Sequence, residues 1–493
     1  MTVADVAVSS FSGVILMSMK HQSTLPTAIA VAELLNDSAV RVEAASVSRP
    51  AAAAKAPTLR LMGAFTATML VVASMVGTGV FTTTGLLLEG IGSSPAVLLA
   101  WVFGGVIAFF GALSYAELVA ALPRNGGEYQ LLGRIFHPAV GFVAGWVSLV
   151  VGFSAPIAAA AIGFGVYFQA VVPGLNPLLS ATLLIVLFSG IHAAHVTLGS
   201  GMQNLFTIAK VVVVLAFIGG GLALGDMGHI GHESPTETLG AVMSPAFAVG
   251  LIFVSFAYSG WNGAAYIAGE IKNPARSLPK ALALGTGVVT LLYLGLNMVF
   301  MGAAPAEELS GTIDVGTVAA THLFGTQAGR ALSGVISLLL VSSVSAMIMS
   351  GPRVYQAIGE DYRCFSFLKM RSGKTGPFYA ILLQAVAAII MLLTSSFDAL
   401  LTYIGFTLSL SAGLTVIGVF VMRKREPDLP RPYRCWGYPV TPVLFILLSC
   451  WMVVFTLIEA PVVAVAGAVT VFSGLGVWAM ARRFSTMEDV KES

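Results

Sequence analysis

Two apolar stretches of the sequence carry glycines where a membrane helix would need an unbroken ladder of hydrogen bonds. Gly77-Thr78-Gly79 lies inside the run from Leu59 to Leu88, and Ser259-Gly260 lies inside the run from Leu239 to Ala268. A break frees N–H groups at the start of one half-helix and C=O groups at the end of the other. The N–H groups attract a carboxylate, and the C=O groups attract an ammonium.

Glycine also lets membrane helices pack closely, so the first break alone is equally compatible with simple packing. Polar and aromatic residues surround the second break in FVSFAYSGWNGAAY, which favours a binding site. Unwound backbone is tolerated in a membrane where it lines a cavity or is covered by protein, and a pair of interrupted spans points to a transporter site. A zwitterionic amino acid presents a carboxylate and an ammonium on one carbon, so it is the ligand that the two breaks predict.

A lysine interrupts a third apolar stretch, QNLFTIAKVVVVLAF. Lys210 lies about 14 Å into its helix at a rise of about 1.5 Å per residue, which is too deep for its side chain to reach the membrane surface. A charge at that depth costs at least about 2.5–3.5 kcal/mol, so an ionisable residue there is a functional candidate. Because burial favours the neutral amine, Lys210 is a candidate to bind and release a proton, with a structural role as the alternative.

The composition supports a membrane protein and excludes a soluble one. Hydrophobic residues make up 57% of the chain and charged residues 10%, against about 25% charged in soluble domains. The basic residues do not cluster with aromatic residues, so no nucleic-acid binding is expected. The three cysteines lack metal-ligand spacing and are interpreted as free thiols. No metal and no cofactor are expected.

Twelve membrane spans are predicted, since each needs about 20 apolar residues. They cover residues 59–88, 95–122, 138–172, 178–195, 201–224, 239–268, 278–304, 328–358, 378–396, 399–422, 438–458 and 461–481. With the N-terminus in the cytoplasm, all but Lys210 and Arg330 of the 25 lysines and arginines fall on the cytoplasmic side. Both termini are therefore predicted to be cytoplasmic.

Four segments resemble signatures of amino-acid permeases of the amino acid, polyamine and organocation superfamily. They are FAYSGWNGAAYIAGEIKNPARSLPKAL from residue 256, GTGVF from 77, SYAELVAALPRNGGEY from 114 and GPRVYQAIGED from 351. The resemblance covers about residues 60–480 and implies an all-α, LeuT-like fold with a five-plus-five inverted repeat and two extra helices. The implied regions are a disordered cytoplasmic tail (1–58), a transmembrane permease domain (59–484, with repeats 59–224 and 239–422 and extra helices 438–484) and a cytoplasmic C-terminal tail (485–493).

The resemblance also implies roles for individual residues around the two breaks. It assigns the substrate carboxylate to the backbone of Gly77, Thr78 and Gly79, with the Thr78 hydroxyl as an added donor. It assigns the amine to carbonyls of both broken helices. The residues of the implied site and its gate are Met75, Phe256, Ser259 and Asn262, with Phe256, Tyr258 and Trp261 as gating aromatics. For Tyr258 and Trp261, packing between helices is the alternative.

Similar permeases carry a lysine after the same Gln-X-X-Phe-Thr pattern, in the region that sodium fills in sodium-coupled relatives. The resemblance therefore implies that Lys210 replaces a sodium ion near hydroxyls such as those of Ser342 or Ser343. Whether the lysine exchanges its proton or stays a fixed cation is left open.

The expected function is sodium-independent, secondary active transport of an amino acid by proton symport or exchange. Glu117 and Glu270 are expected to pair with basic residues such as Arg124 or Lys272, so no carboxylate from the first or sixth span reaches the pocket. A neutral substrate is therefore favoured, with a permease for cationic amino acids or polyamines and an amino-acid sensor as alternatives. A membrane enzyme is disfavoured because the sequence has no HExxH or P-loop motif, and a channel because the breaks are offset.

The expected location is the cell membrane, with the bacterial inner membrane favoured by the resemblance. Relatives of the light-chain type are joined to a single-span glycoprotein by a cysteine between the third and fourth spans. The corresponding loop here, VVPGLNP, has no cysteine. The expected partners are a small-molecule amino acid and the lipid bilayer, without a disulfide-linked heavy chain.

Overall fold

The computed structural model describes residues 62–194, 200–225, 229–230, 233–370 and 377–492. The predicted tail 1–58 lies outside these residues. The α-helices, numbered here in chain order, are α1 Ala64–Met75, α2 Thr78–Ile91, α3 Ser94–Ala121, α4 Gly127–Ile135, α5 Pro138–Val147, α6 Ala155–Val171, α7 Pro177–Ala194, α8 Ser200–Leu224, α9 Pro235–Val242, α10 Pro245–Ala257, α11 Pro274–Ala303, α12 Ala306–Leu309, α13 Val315–Phe324, α14 Thr326–Asp361, α15 Phe378–Thr394, α16 Phe397–Arg425, α17 Val440–Glu459 and α18 Pro461–Glu492. A π-helical segment, Ser148–Ser154, joins α5 to α6, and short 3₁₀ helices cover Gly263–Tyr266, Ala268–Glu270 and Arg363–Lys369.

Ten helices in the described part of the chain are long and apolar enough to cross a membrane, counting α1 with α2 and α5 with α6 as single spans. The pair α9 and α10 forms a further candidate span with a 70° bend, and α15 is a shorter apolar helix. Each of the twelve predicted spans therefore contains at least one α-helix, which confirms the all-α polytopic fold class. α18 continues beyond the predicted membrane boundary to Glu492.

Local signals set several of the helix ends. Ser93 accepts a hydrogen bond from the Ala96 N–H at the start of α3, and Ser244 does the same for Phe247 at the start of α10. Each helix has a proline in its first turn, where the missing N–H costs nothing. Gly92 ends α2 in the left-handed conformation, with φ of 70°.

The second half of the sixth span is not an α-helix, contrary to the prediction that this span extends to Ala268. After α10 the chain forms a turn at residues 258–262 and then the two 3₁₀ helices. The backbone there bonds to other segments: the Met62 N–H donates to the Glu270 carbonyl (3.2 Å), and the Gly126 N–H donates to the Tyr266 carbonyl (3.0 Å). These partners take the place of the hydrogen bonds that a helix would make within itself.

Two ion-pair groups tie helices together at one end of the bundle. Glu117, on α3 and 2% exposed, accepts two hydrogen bonds from the Arg423 guanidinium at 2.8 and 2.6 Å, and Arg431 lies 3.6 Å away. Glu270 lies 3.9 Å from Arg353. The prediction that Arg124 or Lys272 pairs with these carboxylates was wrong. Segments distant in sequence bring Arg423, Arg431 and Arg353 to them instead. We call this end of the bundle, where Met62, Glu270 and Arg353 also lie, the basic face.

Candidate substrate-binding site

The first break separates α1, which ends at Met75, from α2, which begins at Thr78. The Val76 N–H still donates to the Val72 carbonyl at 2.8 Å, so α1 ends with a normal helical hydrogen bond. Gly77 precedes α2 with a φ of −132° and a ψ of −146°, and it places no side chain over the helix start. The first N–H groups of α2 therefore point into the break without a side-chain cap, which is the arrangement that suits a carboxylate.

The two breaks lie against each other. A Cβ atom at Gly79 would lie 2.6 Å from the Ala257 Cβ, at the end of α10. A Cβ atom at Gly260 would lie 2.5 Å from the Ser74 carbonyl oxygen, and Gly260 has a φ of 94° that other residues rarely adopt. Glycine at both positions thus allows the backbones of the two broken spans to meet.

Tyr293, on α11, connects the two breaks through one phenol oxygen. Its hydroxyl lies 2.5 Å from the Met75 carbonyl oxygen and 3.1 Å from the Ala257 carbonyl oxygen. Sequence reasoning missed this residue, because a tyrosine in an apolar helix carries no signal of what its hydroxyl contacts. Tyr293 therefore positions both ends of the candidate site.

Replacing Tyr293 with phenylalanine is expected to destabilise the protein and to reduce substrate uptake. The change leaves buried backbone groups at both breaks without their partner, at a cost of about 1–3 kcal/mol. The measurements are the melting temperature of the purified protein and uptake into proteoliposomes. Tyr379→Phe is the matched control, because Tyr379 is exposed on α15. Equal melting temperatures and uptake for the two variants would contradict the bridging role.

Lys210, on α8, reaches the first break from the side. Its Nζ atom donates to the Ser343 hydroxyl at 2.8 Å and to the Val76 carbonyl at 3.3 Å. The side chain is 1% exposed. Of the two serines expected near it, Ser343 makes this contact, whereas no hydrogen bond joins the described Ser342 side chain to the lysine. The buried amine of Lys210 therefore contacts the backbone of Val76, between α1 and α2.

A cavity of about 310 Å³ extends from the breaks to the basic face. Its wall includes Thr66, Leu70 and Ser74 from α1 but excludes the described residues of α2. Arg353 also lines the cavity at the basic face, and its side chain is 39% exposed. The volume is at the lower end of the usual range for small-molecule pockets, about 300–1,000 Å³.

The predicted site residues divide into two groups around this cavity. Those on its wall are Tyr258, Ser259, Trp261, Asn262 and Ser343. The others are buried at the breaks and do not line the cavity in the described part of the chain. They are Met75, Gly77, Thr78, Gly79, Phe256 and Lys210. The Met75 and Phe256 carbonyls expected to hold an amine already accept hydrogen bonds, from the Tyr293 hydroxyl and from the Ser259 N–H at 2.9 Å. Each carbonyl retains a second lone pair for a ligand.

Two of the aromatic residues expected at the gate pack against neighbouring helices. The Tyr258 hydroxyl donates to the Trp101 carbonyl at 3.0 Å, and its ring lies 5.0 Å from that of Tyr293. The Trp261 ring meets the Tyr115 ring edge-on at 4.7 Å. These contacts support the packing alternative for both residues in the conformation described. Phe256 is 5% exposed and, in the conformation described, is not part of the cavity wall.

The far side of the breaks is closed by contacts with α2. The Tyr167 hydroxyl donates to the Phe81 carbonyl at 2.5 Å, and the Gly311 N–H donates to the Gly85 carbonyl at 2.9 Å. Thr84 hydrogen bonds to the Asn297 side chain. These hydrogen bonds hold α2 against neighbouring segments, and no described residue of α2 lines the cavity that extends to the basic face.

Glu128, on α4, places a carboxylate on the cavity wall that sequence reasoning missed. Glu128 follows Asn125-Gly126-Gly127 between the second and third spans, away from both broken helices in the sequence. Burial raises the pKa of this carboxyl, and hydrogen bonds from Ser411, Tyr115 and Asn262 lower it in part. The polar NGGEY segment beside the motif at residue 114 was the available signal.

Comparison with known proteins agrees with this architecture. The sequence model described as amino acid permease matches residues 62–480. The chain is 28% identical over 427 residues to the large neutral amino acids transporter small subunit 2 of Mus musculus, covering 85% of this chain and 80% of that protein. It is 27% identical over 436 residues to the Asc-type amino acid transporter 1 of Mus musculus (85% and 80%) and 30% identical over 419 residues to the b(0,+)-type amino acid transporter 1 of Rattus norvegicus (81% and 83%).

These relatives are transporters rather than enzymes, and each is aligned over most of its length. The match covers every predicted span from the first break to the last helix. The chain therefore belongs to the amino acid permease family, within the amino acid, polyamine and organocation superfamily.

Proposed function

We propose that this permease is a sodium-independent transporter of neutral amino acids that works by alternating access between the two sides of the plasma membrane. The observation that carries the proposal is the cavity, which extends from the two broken helices to the basic face and is closed beyond them. In this proposal the basic face is cytoplasmic, so the conformation described is open to the inside. The positive-inside pattern of the loops supports that orientation.

The amino acid bridges the breaks in this mechanism. Its carboxylate binds the N–H groups at the start of α2, around Gly77, Thr78 and Gly79, with the Thr78 hydroxyl as a further donor. Its ammonium binds carbonyls at the ends of α1 and α10, at Met75, Phe256 and Ser259, next to Asn262. Phe256 closes over the substrate on the outer side. In a LeuT-like arrangement, the helices that carry the breaks then rock against the remaining helices.

Lys210 supports the sodium-independent part of the proposal. Its ammonium lies at the end of α1, in contact with the Val76 carbonyl and the Ser343 hydroxyl. Oxygen atoms of this kind would otherwise be suited to a metal cation. In this proposal the lysine ammonium takes the position of a sodium ion, so no sodium ion is needed.

A cationic substrate is the second candidate, and Glu128 is the observation that favours it. Its carboxylate lies on the cavity wall, where it could attract a side-chain ammonium. Three hydrogen bonds already engage its oxygens, which favours a neutral substrate. The two candidates differ in which labelled amino acids enter the vesicles.

Uptake into proteoliposomes of a panel of labelled amino acids is expected to show transport of neutral members, with L-leucine and L-alanine above L-lysine, L-arginine and putrescine. Replacing sodium chloride with choline chloride is expected to leave the uptake unchanged, because Lys210 occupies the cation position. Preferential uptake of L-lysine would select the second candidate. Transport of no amino acid, under any gradient, would be the result expected of a sensor and would overturn the proposal.

A further inference from the structure

The Glu128 carboxylate is buried yet lies on the cavity wall. It is 3% exposed. Its Oε1 atom accepts hydrogen bonds from the Tyr115 hydroxyl at 2.6 Å and from the Asn262 amide at 3.1 Å, and its Oε2 atom accepts one from the Ser411 hydroxyl. All three donors are neutral. A buried carboxylate held by neutral donors retains much of its desolvation cost when it is charged.

The three donors come from three different parts of the chain. Tyr115 lies on α3, Asn262 follows the break in the sixth span, and Ser411 lies on α16. The carboxylate therefore connects the segment after the break to α16. If that segment moves relative to α16 during transport, these hydrogen bonds must break.

Among the described residues, no lysine, arginine or histidine side chain lies at ion-pair distance from the Glu128 carboxylate. The titratable groups that face it are Tyr115 and Tyr266, which interact with it as weak acids. α16 presents the neutral hydroxyls of Ser411 and Thr415 to this cluster. Arg353 lines the same cavity but lies 3.9 Å from Glu270. A proton is thus the positive charge that Glu128 can acquire from the water-accessible side.

Lys210 has the opposite surroundings. It is absent from the cavity wall that the described residues form, and its two partners act as acceptors. The Val76 carbonyl can only accept, and the Ser343 hydroxyl donates its own proton to the Leu339 carbonyl at 3.2 Å. Burial disfavours the charged form of this amine, while the two acceptors favour it, and the side chain has no contact with the cavity through which a proton would arrive. The Tyr115 and Ser411 hydroxyls beside Glu128, in contrast, can donate to a carboxylate or accept from a carboxylic acid.

We propose that Glu128 binds and releases the proton that is coupled to transport, while Lys210 remains a fixed cation. The inference rests on the proposed alternating-access transport of a neutral amino acid. The proton adds to one carboxylate oxygen, and no other covalent bond changes. Loss of the negative charge weakens the hydrogen bonds from Tyr115, Asn262 and Ser411, since charge-assisted bonds are the stronger kind. The segment after the break is then released from α16.

The test uses the full-length protein in proteoliposomes with labelled L-leucine as the probe. Counterflow at equal pH on both sides measures alternating access without a driving force. Accumulation with an acidic exterior measures proton coupling. Glu128→Gln mimics the protonated form, so we expect its accumulation to fall to the level without a gradient while counterflow continues at a reduced rate. Glu307→Gln, at an exposed glutamate on α12, is the matched control.

Each outcome decides the inference. The inference is overturned if Glu128→Gln accumulates substrate along the gradient as well as the unaltered protein does. It is also overturned if the unaltered protein performs counterflow but never responds to the gradient. If Glu128→Gln gives no counterflow, Glu128→Asp is used instead. A shifted pH profile of counterflow in Glu128→Asp supports the inference. An unchanged profile overturns it, and so does a loss of counterflow in this second variant. Absence of counterflow by the unaltered protein with every amino acid would be a failure of the proposed function instead.

Discussion

Replacing Gly79 with leucine is expected to abolish amino-acid uptake. Even the first side-chain atom at this position would lie 2.3 Å from the Ala257 Cα and 2.6 Å from its Cβ. The start of α2 would have to move away from the end of α10, which separates the two halves of the candidate site. Overpacking of this kind costs about 1–3 kcal/mol, and a leucine adds several more atoms to the same contact.

The measurements are uptake of labelled L-leucine into proteoliposomes and the melting temperature of the purified variant. Gly90→Ala is the matched control, because Gly90 lies on the same helix and a Cβ there would have nothing within 4 Å. Gly79→Ala should already lower uptake and melting temperature, whereas Gly90→Ala should change neither. Normal uptake by the Gly79→Leu variant would show that the breaks need not approach each other for transport.

Thr78→Val tests binding at the same break without the added bulk. Valine has nearly the shape of threonine, so the variant removes the hydroxyl donor and leaves the backbone N–H groups of α2 in place. A higher KM with a nearly unchanged melting temperature is the result that a carboxylate site predicts. If both Thr78→Val and Gly79→Leu leave uptake unchanged, the carboxylate does not bind at the start of α2.

The spans were predictable because the membrane imposes a length that apolar runs must meet. The run from residue 138, for example, predicted a single span to 172, and α5, the π-helical segment and α6 together extend from Pro138 to Val171. The first break was predictable from local sequence too, since Gly77-Thr78-Gly79 interrupts an apolar run that would otherwise form one helix. Both features depend on residues close together in sequence.

The missed features depend on contacts between distant segments. Tyr293 lies 218 residues from Met75, and nothing in its own helix shows that its hydroxyl meets both breaks. Glu128 meets Ser411 across 283 residues. The same cause explains the end of the sixth span, where pairing with Met62 and Gly126 replaces the α-helix that an apolar run predicts. Tertiary partners therefore decide what local composition leaves open.

Two buried ionisable groups have different roles in the proposed mechanism. Lys210 is enclosed among acceptors beside the first break, whereas Glu128 is held by neutral donors on the cavity wall beside the segment after the second. Proton access is available to the second group and is restricted for the first. A substitution at each position should consequently fail in a different way, with the glutamate affecting coupling and the lysine affecting transport itself.

Lys210→Met is expected to reduce both counterflow and gradient-driven accumulation by about a hundredfold or more. Methionine retains a comparable length and fills the space, but it provides neither the charge nor the donors. Hydrogen bonds to charged groups contribute about 1.5–3 kcal/mol, and a factor of ten corresponds to about 1.4 kcal/mol. The Val76 carbonyl would lose its partner at the break, and the substrate carboxylate would lose a neighbouring cation.

Lys280→Met is the matched control, because Lys280 is exposed on α11. That variant should transport like the unaltered protein. Purified Lys210→Met that elutes as a single species, yet gives no counterflow with labelled L-leucine, would separate a transport defect from misfolding. Accumulation by Lys210→Met that still follows the pH gradient as in the unaltered protein would contradict the role of the lysine as the fixed cation, since the charge beside the break would then be dispensable.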